Sequence, residues 1–185
     1  MTTVAETAPT RKRRSRRAPA IVAAVLLVLT GYTIWSNVRV VTLTASLDIP
    51  APADRVWAVL TDFRSYPGWN PFMVSAEVAS PDGTLAVDAT LRIVLRDAGG
   101  DMSFEPTVLA VEPGKELRWL GKLGPGWIAD GEHEFTLQAL GPDSTRLVQT
   151  ERFTGVAVPF AESTLRDTER QFDAMNRALA IRASS

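Results

Sequence analysis

A basic cluster followed by a long uncharged run constrains this chain more than any other feature of its sequence. Six of the seven residues in 11–17 are arginine or lysine, and no charged residue occurs from 18 to 38. A helix of this length, at about 1.5 Å rise per residue, spans roughly 30 Å, the hydrocarbon thickness of a bilayer. The sequence therefore predicts a basic disordered tail over 1–17, a transmembrane anchor over 18–38 and one folded domain over 40–185.

The flanks of the run predict its orientation. Tyr32 and Trp35 fall near its end, where interfacial aromatic residues are expected. The basic cluster precedes the run and only Arg39 follows it closely, so we expect a single-pass cell-membrane protein with a cytoplasmic N-terminus and an extracytoplasmic domain. A cleaved signal peptide, which has a similar basic start and apolar core, is the alternative.

Composition excludes several classes of site. Six bases and one glutamate give residues 1–17 a charge of +5, so the total of −1 leaves −6 for residues 18–185. An acidic domain argues against nucleic acid as a partner, because phosphate binding needs a basic face. The chain has no cysteine and one histidine, His133. Disulfides, thiolate nucleophiles and multi-histidine metal sites are thereby excluded, and we expect no metal and no cofactor.

Periodicity beyond residue 40 indicates an α+β domain. A half-buried strand over 40–49 precedes a short helix over 53–63 and an aromatic bend or one-turn helix over 64–71. Turn residues then separate six strand-like runs. The runs are 72–79, 86–97, 102–111, 116–122, 128–140 and 145–153. A long amphipathic helix over 159–182 ends the chain. We expect a seven-stranded curved antiparallel sheet wrapped around that helix, with a cavity between them.

Five segments of the domain also carry a resemblance. They are 48–63 (DIPAPADRVWAVLTDF), 66–72 (YPGWNPF), 110–119 (AVEPGKELRW), 131–135 (GEHEF) and 145–155 (TRLVQTERFTG). These segments resemble the START-related helix-grip (SRPBCC) superfamily, and within it the polyketide cyclase/dehydrase-like branch. The resemblance implies the helix-grip fold. It implies less about function, because the superfamily includes lipid carriers, hormone receptors and ring-closing enzymes.

His133 is the first candidate for chemistry. Strand alternation places it on one face with Phe135 and Leu137, so we expect its side chain to point inward. Three interpretations are open: a core histidine with one hydrogen bond, a polar anchor for a ligand head group, or a general base near neutral pH.

Glu151 is the second candidate, and its direction depends on one turn. It shares a strand face with Gln149, which lies beside His133 if that face is buried. A regular turn at 141–144 would send Glu151 outward instead, and one bulge would restore the inward direction. An inward carboxylate needs a partner such as His133, whereas an outward one would pair with a surface base such as Arg152.

Aromatic side chains are numerous enough to form both core and cavity wall. In a helix-grip fold these two surfaces are shared, so several aromatic residues should line the cavity. The residues that we expect to contact a ligand are Trp69, Phe104, Trp119, His133, Phe135, Glu151, Phe153, Phe172 and Met175.

The loop 121–128 is unusual because glycines and a proline surround Leu123 and Trp127. It is either an apolar lip at the cavity mouth or a loop whose tryptophan folds back onto the core.

The sequence favours a membrane-anchored protein that binds a hydrophobic small molecule or lipid, because no nucleophile or metal cluster suggests catalysis. The alternative is an enzyme similar to polyketide cyclases or dehydratases, with His133 as general base and Glu151 orienting it. A docking surface for another envelope protein is a third hypothesis.

Overall fold

Three helices and eight strands follow one another in a computed structural model that describes residues 17–97 and 100–185. The order is α1 (Arg17–Val38), β1 (Val41–Ile49), α2 (Ala53–Thr61), a 3-10 turn (Phe63–Gly68), β2 (Met73–Val78), β3 (Leu91–Asp97), β4 (Gly100–Phe104), β5 (Thr107–Glu112), β6 (Glu116–Leu123), β7 (Ala129–Gly141), β8 (Ser144–Thr154), a second 3-10 turn (Val158–Phe160) and α3 (Glu162–Ala183). The α+β architecture with antiparallel strands and a C-terminal helix is confirmed.

The strands form two antiparallel sheets, so the prediction of one seven-stranded sheet was wrong in number and continuity. The larger sheet has the order β1-β8-β7-β6-β5 and the smaller one the order β2-β3-β4. The predicted strand over 102–111 is divided into β4 and β5 at Pro106. Proline has no backbone N–H to donate to a ladder, so it ends pairing at that point.

A short seam joins the two sheets. An isolated bridge pairs Thr90 with Thr107. Beside it, Val108 N–H donates to the Ala89 carbonyl (2.8 Å) and Leu91 N–H donates to the Pro106 carbonyl (2.9 Å). The smaller sheet therefore continues the wall of the larger one, and residues of both sheets and of α3 line the same cavity.

A bulge in the hairpin between β7 and β8 decides which residues face inward. Ala139 pairs with Thr145 and Gly141 pairs with Ser144, with a register shift between the two pairs. Beyond this shift His133 lies opposite Glu151 and Phe135 opposite Gln149. The odd-numbered residues of both strands thus point to the concave side, which is the arrangement that required a bulge in the sequence analysis.

The helix α3 covers the concave side of the sheets. Its buried stripe includes Phe172, Met175 and Leu179, which join a core that extends to Leu60 on α2 and Leu147 on β8. The helix begins three residues later than predicted, because the first residues of the predicted range form the second 3-10 turn.

The helix α1 is separate from this core for most of its length. Ala18–Val38 is long and apolar enough to cross a membrane, and its most apolar window is not buried in the protein. Only its last turns touch the domain, where the Tyr32 hydroxyl donates to the Val156 carbonyl (2.8 Å). The predicted disordered tail over 1–17 lies outside the described residues except for Arg17, where α1 begins.

Candidate functional site

A cavity of about 390 Å³ lies between the two sheets and α3. This volume is within the usual range of small-molecule sites. Its walls are mostly apolar and come from β3, β4, β6, β7, β8 and α3. Of the nine residues expected to contact a ligand, six line this cavity. They are Phe104, Trp119, His133, Glu151, Phe153 and Phe172.

The other three expected residues do not line the cavity. Trp69 is half-buried against Tyr66 in the 3-10 turn, with ring centroids 4.7 Å apart. Phe135 and Met175 are fully buried in the core behind the cavity wall. Alternation and helical spacing identified these side chains as inward. The inward face of each element contains both core residues and residues that line the cavity, and these patterns do not separate the two.

His133 is held between aromatic rings. Its imidazole stacks on Trp119 with centroids 5.0 Å apart and an interplanar angle of 17°. Phe172 meets it edge-on at 5.0 Å. Only 4% of the residue is exposed. These contacts fix the ring orientation, so its two nitrogens have defined neighbours.

Both nitrogens of His133 are engaged by β8. Nδ1 lies 3.3 Å from Glu151 Oε2. Nε2 lies 3.0 Å from Gln149 Nε2, which also lies 3.9 Å from the Met175 sulfur. Gln149 Nε2 donates to His133 Nε2 in the tautomer whose proton is on Nδ1, and in that tautomer the Nδ1 proton is on the side of Glu151. Neither Gln149 nor Met175 lines the cavity, so Nε2 is directed away from it.

Glu151 is the charged group of this pair that reaches the cavity. Its side chain retains 16% exposure. Its carboxylate folds over Gly131, where an added Cβ would lie 2.6 Å from Glu151 Oε1. A side chain at position 131 would therefore occupy the space that the carboxylate uses. Sequence analysis missed this role of Gly131, because it depends on a diagonal contact across two strands.

The surface bases do not compete for Glu151. On the convex face Arg152 lies 3.0 Å from Glu132 and 3.5 Å from Glu134. Arg118 lies 3.2 Å from the same Glu132. The hydrogen bond that Arg118 donates to Glu132 raises the pKa of the Arg118 guanidinium above its ordinary value. Arg152 therefore belongs to a surface network, and the neighbour of Glu151 is His133.

A polar strip on α3 was also missed. Thr164, Thr168 and Gln171 line the cavity along with Leu165 and Phe172. Their spacing of four and three residues places them on one helical face beside the apolar stripe. The same spacing in the sequence is a signal that could have identified them.

The loop 121–128 leaves its large side chains outside the core. Trp127 is 53% exposed and Leu123 is 55% exposed. Leu123 in this loop and Ala129 directly after it both line the cavity. The loop therefore borders the cavity, and its tryptophan does not fold back onto the core.

The described residues contain no group of side chains suited to bind a metal ion. Within residues 17–97 and 100–185, no three His, Cys, Asp or Glu side chains are grouped so that they could hold a metal ion.

Comparison with known families agrees with this architecture. Residues 40–183 match the family described as "Polyketide cyclase / dehydrase and lipid transport". The chain belongs to this family. The resemblance to START-related proteins and their polyketide cyclase/dehydrase-like branch is thereby confirmed. The fold of this family supports a module for binding hydrophobic ligands.

Solved structures show the same fold. The Zhui aromatase/cyclase from Streptomyces sp. R1128 superposes with a TM-score of 0.63 and 19% identity, over 79% of this chain and 94% of that one. A START superfamily protein from Mycobacterium smegmatis superposes with a TM-score of 0.64 and 21% identity, over 77% of this chain and 97% of that one. No curated protein is similar enough in sequence to count as a relative.

Proposed function

We propose that this protein is a membrane-anchored binding protein whose cavity holds a hydrophobic small molecule or lipid. The observation that carries the proposal is the 390 Å³ cavity between the sheets and α3. Its walls are predominantly apolar, and the pair of Glu151 and His133 lies in them together with Lys122 and Asp130. Such a wall favours a ligand with a long apolar body and one polar group.

The polar group of the ligand is most simply a hydrogen-bond donor. A carboxylate accepts hydrogen bonds and donates none. Glu151 has a cavity-facing position, whereas the nitrogens of His133 are engaged by its neighbours. A hydroxyl of the ligand would therefore donate to Glu151, and His133 would hold that carboxylate in place. The aromatic residues Phe104, Trp119, Phe153 and Phe172 would contact the apolar body.

The anchor in this proposal is α1. An uncharged and largely apolar helix of 21 residues, most of it uncovered by the domain, needs an apolar environment, and a bilayer provides it. The basic residues before α1 favour a cytoplasmic N-terminus, so the domain would lie on the extracytoplasmic side. Retention of α1 keeps the cavity next to the phase in which hydrophobic ligands partition.

The test is native mass spectrometry of the full chain, purified in nanodiscs made from a total bacterial lipid extract. We expect one additional mass of a lipid-like compound per chain. Ala129→Phe fills the cavity from β7 and should abolish the adduct. Ala139→Phe changes an exposed residue of the same strand and should retain it. An empty wild-type cavity, or an adduct that persists in Ala129→Phe, would contradict the proposal.

A second candidate is an acid–base enzyme similar to cyclases or dehydratases. The proximity of His133 Nδ1 to Glu151, at 3.3 Å in a cavity wall, favours it. In this geometry Glu151 is the better base, since Nε2 of His133 faces Gln149. An enzyme would convert the bound compound, so the adduct mass of the wild type would change with time and that of Glu151→Gln would not. His133→Gln should slow conversion without abolishing binding.

A further inference from the structure

The end of α1 is built into the domain beside the cavity. The Tyr32 hydroxyl donates to the Val156 carbonyl (2.8 Å), and the Asn37 amide donates to the Trp127 carbonyl (3.3 Å). The Gly155 N–H donates to the Ser36 carbonyl (3.3 Å). These contacts tie the last two turns of α1 to the loop before β7 and to the segment after β8.

The position of these contacts along α1 fixes the level of the domain relative to a bilayer. Tyr32 lies six residues before the end of the apolar run at Val38, which is about 9 Å along a helix axis. The run from 18 to 38 is only about as long as the hydrocarbon layer is thick. The part of the domain that touches Tyr32 therefore cannot stand clear of the membrane while α1 spans it.

Three large apolar side chains are exposed at this edge, beside the charged residues Lys122 and Glu162. Phe160 is 80% exposed, and its ring lies 6.2 Å from that of Tyr32. Trp127 and Leu123, described above as half exposed, belong to the loop that Asn37 holds. Exposed aromatic residues at this level resemble the belts that membrane proteins place at the lipid interface. Arg39, 5.2 Å above the Trp35 ring, adds a positive charge where lipid phosphates would lie.

The same edge borders the cavity. Ala157 and Val158 line the cavity and directly follow Val156, the residue bound by Tyr32. Leu123 lines it from the other side. The part of the domain that α1 contacts is therefore next to the cavity wall.

We propose that the edge formed by Leu123, Trp127 and Phe160 is inserted into the lipid interface beside α1, and that the cavity exchanges its ligand directly with the bilayer. The ligand is then a membrane lipid whose apolar chain enters through this edge without crossing water. This inference rests on the proposed function for the existence of a ligand, but the insertion of the edge is a separate claim.

Site-directed spin labelling tests the insertion, because the chain has no native cysteine. Phe160→Cys and Ile181→Cys are labelled in the full chain in nanodiscs of phosphatidylcholine and phosphatidylglycerol. Ile181 is the control, since it is also strongly exposed but lies 19 residues beyond Glu162, about 28 Å along α3. We expect the label at 160 to lose accessibility to a water-soluble nickel chelate and gain it to oxygen. The label at 181 should remain accessible to the chelate.

Equal chelate accessibility at both positions would overturn the inference. Lipid exchange provides the second readout. The double variant Trp127→Ser/Phe160→Ser should take up a pyrene-labelled phosphatidylcholine from vesicles more slowly than Ile181→Ser does, and an unchanged rate would also overturn the inference.

The two proposals fail in different ways. A loaded cavity with a water-exposed label at 160 would retain the binding function and refute the inserted edge. An inserted label with an empty cavity would retain the edge and refute the binding function.

Discussion

Gly131 gives the sharpest test of the pair at the cavity wall. A Cβ added there would lie 2.6 Å from Glu151 Oε1 and 3.3 Å from Phe153 Cε1. The carboxylate would have to retreat by about 0.8 Å to reach 3.4 Å, where ordinary van der Waals contact begins. Since Oε2 lies 3.3 Å from His133 Nδ1, this movement would break the contact of the pair.

The matched control is Gly121, which pairs with Gly131 across β6 and β7. An added Cβ there meets only the Gly131 carbonyl, at an ordinary 3.8 Å. Neither glycine has a positive φ, so alanine suits both backbones. A change from glycine to alanine by itself raises the free energy of unfolding by about 0.4–1 kcal/mol, because alanine lowers the conformational entropy of the unfolded chain. In Gly131→Ala the loss of a polar contact to a charged group, about 1.5–3 kcal/mol, opposes this gain.

We therefore expect Gly131→Ala to be less stable than Gly121→Ala by about 1–2 kcal/mol, once relaxation of the flexible glutamate is allowed for. The assay is urea unfolding of the full chain in detergent micelles, followed by tryptophan fluorescence. A double-mutant cycle isolates the cause, because Gly131→Ala should cost less in a Glu151→Ala background. An equal cost in both backgrounds would refute the role assigned to the carboxylate.

Three further predictions follow from packing and burial. Gly155→Ala should destabilise the chain by about 3 kcal/mol or more and loosen α1, because φ is +124° and the new Cβ would lie 2.4 Å from the Ile128 carbonyl oxygen. Limited proteolysis and thermal unfolding measure this effect. The control is Gly141→Ala, where the added Cβ has open space. Phe172→Ala should lower the free energy of unfolding by about 3–5 kcal/mol, since the side chain is buried between core and cavity, and a smaller cost in urea unfolding would mean that the site collapses. Burial, and secondarily Asp62, raise the pKa of the Tyr66 phenol above its ordinary value of 10. Above pH 10 the unfolded chain loses the phenol proton while the folded state keeps it. The free energy of unfolding is therefore unaffected by this group below pH 10 and falls above pH 10 by about 1.4 kcal/mol per pH unit. Tyr66→Phe should cost about 1 kcal/mol at pH 7, through loss of the bond to the Leu60 carbonyl, and should show a shallower alkaline decline in urea unfolding.

The inward direction of His133 was predictable from sequence, because strand alternation alone determines it once one face is buried. The direction of Glu151 was not, since it depends on the shift between Ala139 and Gly141 in the hairpin. A single bulge reverses the face of a whole strand, and no residue type in this turn requires one.

The engagement of both His133 nitrogens was also beyond sequence analysis. Alternation placed Gln149 and Glu151 on one face of their own strand, but the concave surface continues from cavity to core along each strand. Gln149 lies at the core end and Glu151 at the cavity end. That boundary is set by where α3 covers the sheet, which is a tertiary property.

The break at Pro106 had a local signal that was not used. A proline inside a strand-like run argues against one continuous central strand. Its neighbours Phe104 and Val108 fit strand alternation on both sides, so the hydrophobic pattern alone indicated a single strand.

The seam between Thr90 and Thr107 has a mechanical consequence for the cavity. β3 and β4 contribute Ile93, Leu95 and Phe104 to one wall, while β6, β7 and β8 form a continuous ladder opposite. A sheet that is joined to its neighbour by a few hydrogen bonds moves more easily than one joined by a ladder along whole strands. We therefore expect β2–β4 to tilt more readily than the larger sheet if the cavity holds ligands of different width, while the ladder between β7 and β8 keeps Glu151 opposite His133.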